Sequence, residues 1–187
     1  MKEILRLVGV LTIICLICTA LLAFVNGKTE EPIKQAALRK AAKAAKEVMP
    51  EGLDTPERLE LVTGSGTHTQ VVFVARKDGA VQAVALEGHS TSGYSGEIVM
   101  MVGISDGKLV NFKVTRQTET PGLGNKIARE DFNKPLQGRD LATTKWQVKK
   151  DGGDVDAVTA ATISSRAACE AIRDALNRYA ECRDQLK

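Results

Sequence analysis

The stretch VVFVARKDGAVQAVAL, residues 71–86, decides the fold because it sets an Asp-Gly pair between two runs typical of β-strands. An Asp-Gly pair in this setting is a strong signal for a tight hairpin turn. The pattern recurs where strand-like residues 97–105 and 109–115 flank Asp106 and Gly107. Four such runs joined by short turns predict an antiparallel sheet.

The C-terminal residues predict helices that pack against this sheet, which makes the expected fold class α+β. From Ser165 to about Leu186, charged residues surround one apolar stripe at helical spacing. The stripe consists of Ala168, Ile172, Ala175, Leu176 and Tyr179. Ser164 or Ser165 is the expected N-cap. A short helix is expected over residues 127–133 and another strand over 146–149.

The N-terminal region predicts a membrane anchor over residues 1–27. Residues 7–25 form a run of 19 residues without a charge, about 28 Å of helix, close to the hydrocarbon thickness of a bilayer. A signal peptide is the alternative, but it normally has a shorter apolar core followed by an Ala-x-Ala-like cleavage site. The sequence has no such site, so we expect an uncleaved single-pass helix.

Residues 28–50 predict a basic, amphipathic, Ala-rich connecting helix that begins near Pro32 and ends near Pro50 and Gly52. Its basic face suits contact with anionic lipid headgroups, and it equally suits plain exposure to water. Lysines and arginines lie on both sides of the apolar run, so the charge pattern leaves the orientation in the membrane open.

Composition and motif content exclude several classes of function. The formal net charge is +3 and no Arg-rich patch interleaved with aromatic residues stands out, so a nucleic-acid partner is not expected. The two histidines, His68 and His89, have no cysteine or carboxylate at a ligand spacing, so no metal site is expected. No catalytic residue is expected, since the chain lacks a nucleophile elbow, a phosphate-binding glycine loop and paired carboxylates.

Three segments rich in small residues remain as candidates for a binding site: 92–98, 118–124 and 156–165. Glycines in the first two let a backbone approach a ligand closely. The third offers several hydroxyl groups just ahead of a helix, where free N–H groups and the helix dipole favour an anion. Spacing alone leaves open both a phosphate site at Thr162 and ordinary helix capping.

The third segment resembles the flavinylation motif of the FMN-binding domains in the G subunit of Rnf complexes and the related C subunit of the sodium-pumping NADH:quinone reductase. The matching residues are Asp156, Thr159, Ala160, Ala161, Thr162 and Ser164. The sequence ETPGLG at residues 119–124 and the segment 92–98 resemble two further motifs of this family. Glycine is commoner at position 160, and the extra methyl group of Ala160 is tolerable unless the backbone there needs a positive φ.

The resemblance implies that residues 51–187 form an FMN-binding domain and that the FMN phosphate is joined to Thr162, not Thr159, as a phosphoester. It implies that the other residues of the three motifs border the flavin. These are Gly93, Tyr94, Glu119, Thr120, Gly122, Leu123, Gly124, Thr159, Ala161, Ile163 and Ser164.

The resemblance also implies a function. The chain would be a redox subunit that relays electrons in an ion-translocating ferredoxin:NAD oxidoreductase, with its soluble domain outside the cytoplasm. Its partners would be the other Rnf subunits, a flavin transferase that uses FAD, and the lipid bilayer. The compact length favours the Rnf G subunit over the quinone-reductase C subunit. A flavin-free anchored assembly module and a stand-alone extracellular flavoprotein remain as alternatives.

Overall fold

The computed structural model describes residues 1–63 and 68–186. The chain divides into two compact units, Met1–Lys40 and Ala41–Lys187. Each unit is described by itself below.

The first unit is helical. Helix α1 runs over Lys2–Val48 and contains Pro32 in its interior, so the helix start expected at Pro32 is wrong. Proline removes one N–H donor, but strong helix formers on both sides, above all the alanines after it, sustain the helix. Part of α1 is long and apolar enough to cross a membrane and is fully exposed. Cys15 and Cys18 lie exposed in it as free thiols.

The second unit is built on a five-stranded antiparallel sheet in which each strand pairs with the next, in the order β1-β2-β3-β4-β5. The strands are β1 (Glu57–Thr63), β2 (His68–Lys77), β3 (Ala80–Ser90), β4 (Ile98–Ser105) and β5 (Lys108–Arg116). The two hairpins predicted from the sequence are β2-β3 and β4-β5, and both are confirmed. Strand β1 was not predicted.

The two Asp-Gly turns set the register of both hairpins. Asp78 and Gly79 have φ values of 53° and 82°, and Asp106 and Gly107 have values of 49° and 69°. Two successive residues with positive φ are the hallmark of the type I′ turn, whose twist matches that of the flanking strands. Local turn chemistry therefore fixes these two pairings.

Two further helices follow the sheet, α2 (Glu130–Asn133) and α3 (Thr162–Cys182). Helix α3 packs on one face of the sheet, where Leu86 and Met100 are fully buried with Ile172 of the helix. The contact is close: a Cβ on Gly88 would lie 2.0 Å from the carbonyl oxygen of Ala171. Glycine at this position lets the helix backbone approach strand β3.

The other face of the sheet is covered by the last turn of α1. Ala45 and Val48 are fully buried there against Phe73 and Met101. A Cβ on Gly103 would lie 2.0 Å from the carbonyl oxygen of Val48. The sheet is therefore buried on both faces, which explains why all but the last residue of β4 is buried and why that strand lacks alternation.

Three local predictions need correction. Helix α3 begins at Thr162, and no side chain caps it, so Ser164 and Ser165 are helical residues and not N-caps. The helix expected over 127–133 is a 3-10 turn, Gly124–Ala128, followed by the short helix α2. The prediction of a strand over 146–149 is wrong, because Val148 makes only an isolated bridge with Val155. A 3-10 turn, Lys149–Asp151, follows directly.

Cys169 and Cys182 are separate buried thiols in α3. Burial raises the pKa of the Cys169 thiol to about 12, so it stays protonated at neutral pH. Both side chains are part of the core between α3 and the sheet, and a buried protonated thiol is inert.

Candidate functional site

The three segments singled out in the sequence meet at the carboxylate of Glu119, which is only 4% exposed. Its Oε1 atom accepts a hydrogen bond from the backbone N–H of Ser95 at 3.0 Å. Its Oε2 atom accepts one from the hydroxyl of Ser164 at 2.5 Å. One side chain thus joins the 92–98 segment, the 118–124 segment and the first turn of α3.

Two glycines make this junction possible. A Cβ on Gly124 would lie 2.4 Å from Oε2 of Glu119 and 2.5 Å from Oγ of Ser164. A Cβ on Gly93 would lie 2.8 Å from Oε1 of Glu119 and 2.2 Å from the carbonyl oxygen of Gly96. Any larger residue would collide with these atoms, so glycine is required for steric reasons and not for its φ angle.

A second set of contacts joins the first two segments close to the ends of the strands that they follow or precede. The hydroxyl of Thr118 donates to the carbonyl oxygen of Ser95 at 2.8 Å. Glu97 contacts Nδ1 of His89 at 3.3 Å and a guanidinium nitrogen of Arg116 at 2.5 Å. The hydrogen bond with His89, helped by Arg116, lowers the pKa of Glu97 below its ordinary value of 4.5. The two segments therefore leave the sheet as a paired structure.

A tight turn leads into α3, since the N–H of Ala161 donates to the carbonyl oxygen of Val158 at 3.0 Å. Ser165 braces this turn: its hydroxyl donates to the carbonyl oxygen of Ala161 at 3.0 Å and accepts from the N–H of Val158 at 2.9 Å. Thr162 follows as the first helical residue. Thr162 is half-buried and begins a 21-residue helix whose first N–H groups no side chain caps, so an anion suits this position.

Ala160, the third residue of this turn, has a φ of 61°. A positive φ at this position is the condition under which the extra methyl group of Ala160 is expected to be unfavourable. A left-handed conformation costs a non-glycine residue about 1–2 kcal/mol. The site therefore carries local strain, which the hydrogen bonds of Ser165 help to sustain.

The three segments also expose apolar side chains. Within the described residues of Ala41–Lys187, the large apolar side chains that are exposed are Tyr94 at 70%, Leu123 at 43% and Ile163 at 45%. One comes from each segment, and the segments are joined through Glu119. Each of the three segments therefore offers an apolar side chain that a ligand could contact.

A cleft of about 320 Å³ lies beside the start of the third segment. Its walls are formed by residues 126–136, which include helix α2, and by residues 155–159. Lys126, Arg129, Phe132, Val158 and Thr159 are among its lining residues.

Comparison with known proteins identifies the family. A family model for the FMN-binding domain matches residues 93–177, and one for the RnfG N-terminal region matches residues 1–48. The G subunit of the ion-translocating oxidoreductase complex from Salmonella typhi is 38% identical over 176 residues, which cover 87% of this chain and 84% of that protein. The chain belongs to the G subunits of ion-translocating oxidoreductase complexes.

Other relatives agree with this membership. The corresponding G subunit from Pseudomonas aeruginosa is 32% identical over 199 residues, covering 99% of this chain and 92% of that protein. The crystal structure of NqrC from Shewanella oneidensis is similar with a TM-score of 0.52 and 21% identity, covering 73% of this chain and 70% of that one. The latter comparison shows a shared fold.

The geometry divides the expected flavin-bordering residues of this G subunit into two groups. An internal group supports the site: Gly124, Glu119, Ala161 and Ser164 are buried. A surface group remains able to touch a ligand: Tyr94, Thr120, Gly122, Leu123, Thr159 and Ile163 are exposed, while Gly93 and Thr162 are half-buried. Glu119 and Ser164 thus position the site of the G subunit and do not form its surface.

These residues fit an FMN group. The start of α3 suits a phosphate, and the exposed apolar side chains suit a flat aromatic ring. Sequence reasoning missed Ser95, which acts through its backbone N–H. A backbone donor has no residue signature in the sequence.

Ala160→Gly in the G subunit should relieve the strained turn and raise the free energy of unfolding by about 1 kcal/mol. Urea unfolding of the full chain in detergent measures the change. Ala157→Gly is the matched control, because Ala157 is exposed, lies outside helix and strand, and has no positive φ. The control should be neutral or destabilising. Equal effects of the two substitutions would contradict the strain.

Glu119→Ala and Ser164→Ala should each lower the free energy of unfolding by about 1–3 kcal/mol, since each leaves a buried polar partner unsatisfied. Their double-mutant cycle should give a coupling energy of about 1 kcal/mol or more. Ser95→Ala keeps the backbone donor and should change stability by less than about 0.5 kcal/mol. Additive effects of Glu119→Ala and Ser164→Ala would contradict a stabilising hydrogen bond between these two side chains.

Proposed function

We propose that this G subunit carries FMN in phosphoester linkage to Thr162 and relays electrons in an ion-translocating ferredoxin:NAD oxidoreductase complex. The observation that carries the proposal is the position of Thr162 at the start of a long helix without a side-chain cap. The FMN-binding family match over residues 93–177 supports the choice of cofactor.

The geometry favours Thr162 over Thr159 as the attachment residue. Thr162 is the first residue of α3, so a phosphate on its oxygen lies beside the free N–H groups of the helix and the positive end of its dipole. Thr159 lies at the exposed tip of the preceding turn, before the strained Ala160, and is outside the helix.

Tyr94, Leu123 and Ile163 support a surface position for the isoalloxazine ring. They are exposed apolar side chains from three segments that Glu119 holds together. An aromatic ring lying on them would remove apolar surface from water, worth about 25 cal/mol per Å². FMN supplies one- and two-electron redox chemistry. The protein holds the group, orients it and leaves it accessible to neighbouring carriers.

Attachment requires a flavin transferase that uses FAD. In this step Oγ of Thr162 forms a bond to the phosphorus on the FMN side of FAD, and the bond between that phosphorus and the bridging oxygen breaks. AMP leaves, and the hydroxyl proton passes to a base of the transferase. The other subunits of the complex, the transferase and the bilayer are the partners that this function needs.

The test is in-gel flavin fluorescence of denatured protein produced in a host that has the transferase. The parent chain and Thr159→Ala should give a fluorescent band, and Thr162→Ala should give none. The two variants remove the same atoms from neighbouring threonines, so they control for expression and for general effects on the motif.

An unchanged band in Thr162→Ala would refute attachment at this residue. A parent chain without a band, in a host with active transferase, would instead favour the flavin-free assembly module.

We also propose that residues 41–187 lie on the outer side of the cell membrane, with the apolar part of α1 as the anchor. The basis is the position of the soluble domain in the family, since the charges flanking the helix leave the orientation open. Fusions at the C-terminus test this: alkaline phosphatase should be active and a cytoplasmic fluorescent reporter dark. The reverse pattern would place the domain in the cytoplasm.

A further inference from the structure

A cleft of about 530 Å³ lies between the tip of the β2-β3 hairpin and residues 179–186, and we call it the hairpin cleft. It is distant from the proposed flavin site. Tyr179, which lines the cleft, follows Thr162 by 17 residues in the chain, about 26 Å along a helix axis. None of the three segments that form the flavin site contributes a residue to the hairpin cleft.

The polar side chains of the hairpin cleft are suited to an anion. They are the guanidinium groups of Arg76 and Arg183 and the hydroxyl of Tyr179, and no carboxylate is among the described lining residues. Burial, with smaller effects from Cys182 and Asp106, raises the pKa of Tyr179 above its ordinary value of 10. Its hydroxyl therefore stays protonated and is a further donor at neutral pH.

The positive charge of the hairpin cleft is poorly balanced. Arg183 forms no ion pair among the residues that the structure describes. The contacts of Arg76 are long: Nε lies 4.0 Å from Oε2 of Glu57, and Nη1 donates to the carbonyl oxygen of Gly79 at 3.3 Å. Both guanidinium groups thus keep donors for a carboxylate, which arginine can bind through two parallel hydrogen bonds.

The floor of the hairpin cleft is apolar. Val84 and Leu186 are buried there, and Val81 is half-buried beside them. Tyrosine and arginine are the residue types that, with tryptophan, contribute most to binding energy at protein–protein interfaces. One tyrosine and two arginines over an apolar floor therefore favour a protein segment with both an apolar side chain and a carboxylate as the occupant.

We propose that the hairpin cleft is the docking site for such a segment of another subunit of the complex. The apolar side chain lies on Val81 and Val84, and the carboxylate pairs with Arg76 and Arg183. This inference rests on the proposed function, which gives the chain other subunits as partners. Docking at this end of α3 leaves the proposed flavin surface open to neighbouring electron carriers.

The first experiment purifies the detergent-solubilised complex through an affinity tag on another subunit and measures how much G subunit is recovered. Arg76→Glu combined with Arg183→Glu places like charges opposite the carboxylate, so recovery should fall about tenfold or more. Arg58→Glu is the matched control, because Arg58 pairs with Glu60 and does not line the cleft. The control should leave recovery unchanged. The in-gel flavin band and the urea midpoint of the double variant should match those of the parent.

The second experiment identifies the occupant by photo-cross-linking within the purified complex. Ala80→p-benzoylphenylalanine places the reactive group at an exposed position of the hairpin cleft. It should give one main cross-link to another subunit, at a segment where an Asp or Glu lies beside an apolar residue. Ala180→p-benzoylphenylalanine is the matched control, since Ala180 is exposed next to Tyr179 and does not line the cleft. This control should not give that cross-link.

The outcomes separate this inference from the proposed function. A parent chain without covalent flavin, or one that copurifies with no other subunit, contradicts the proposed function. A flavinylated parent whose recovery is unaffected by Arg76→Glu with Arg183→Glu overturns the docking site alone. A cross-link from position 80 to lipid, to a second copy of this chain or to a segment without a carboxylate also overturns it, as does the absence of any cross-link.

Discussion

The buried carboxylate of Glu119 is the contact on which the arrangement of the site depends. A carboxylate removed from water is destabilising unless donors satisfy its oxygens. Here the donors are the N–H of Ser95 and the hydroxyl of Ser164, which lie 24 and 45 residues away in the chain. The carboxylate receives both hydrogen bonds only when all three segments are together. Burial of Glu119 and assembly of the site are therefore coupled.

This constraint explains why the site combines rigid and strained parts with exposed ones. Gly93 and Gly124 are required because their neighbours fill the space that a side chain would need. Ala160 holds a left-handed conformation next to a turn that Ser165 braces. The interior of the junction is thus closely packed, and its surface carries the half-buried Thr162 and the exposed apolar side chains.

The sequence predicted those parts that follow from local chemistry. The Asp-Gly turns at 78–79 and 106–107 predicted both hairpins, and the apolar stripe predicted α3. Strand β1 was missed because no turn signal of that kind leads into it. The roles of Ser164 and Ser165 as caps were wrong because both hydroxyls have other partners, in Glu119 and in the turn before the helix. Contacts between residues distant in the chain leave no local pattern, so the junction became visible only in the structure.

The central claim is that this junction presents the oxygen of Thr162 for a phosphoester with FMN. Tandem mass spectrometry of the tryptic peptide covering residues 151–166 tests it most directly, since this peptide holds Thr159, Thr162, Ser164 and Ser165 together. The expected result is an added mass equal to FMN less one water, with fragment ions that assign it to Thr162. The same mass on Thr159 or on either serine, or an unmodified peptide from flavin-transferase-competent cells, would contradict it.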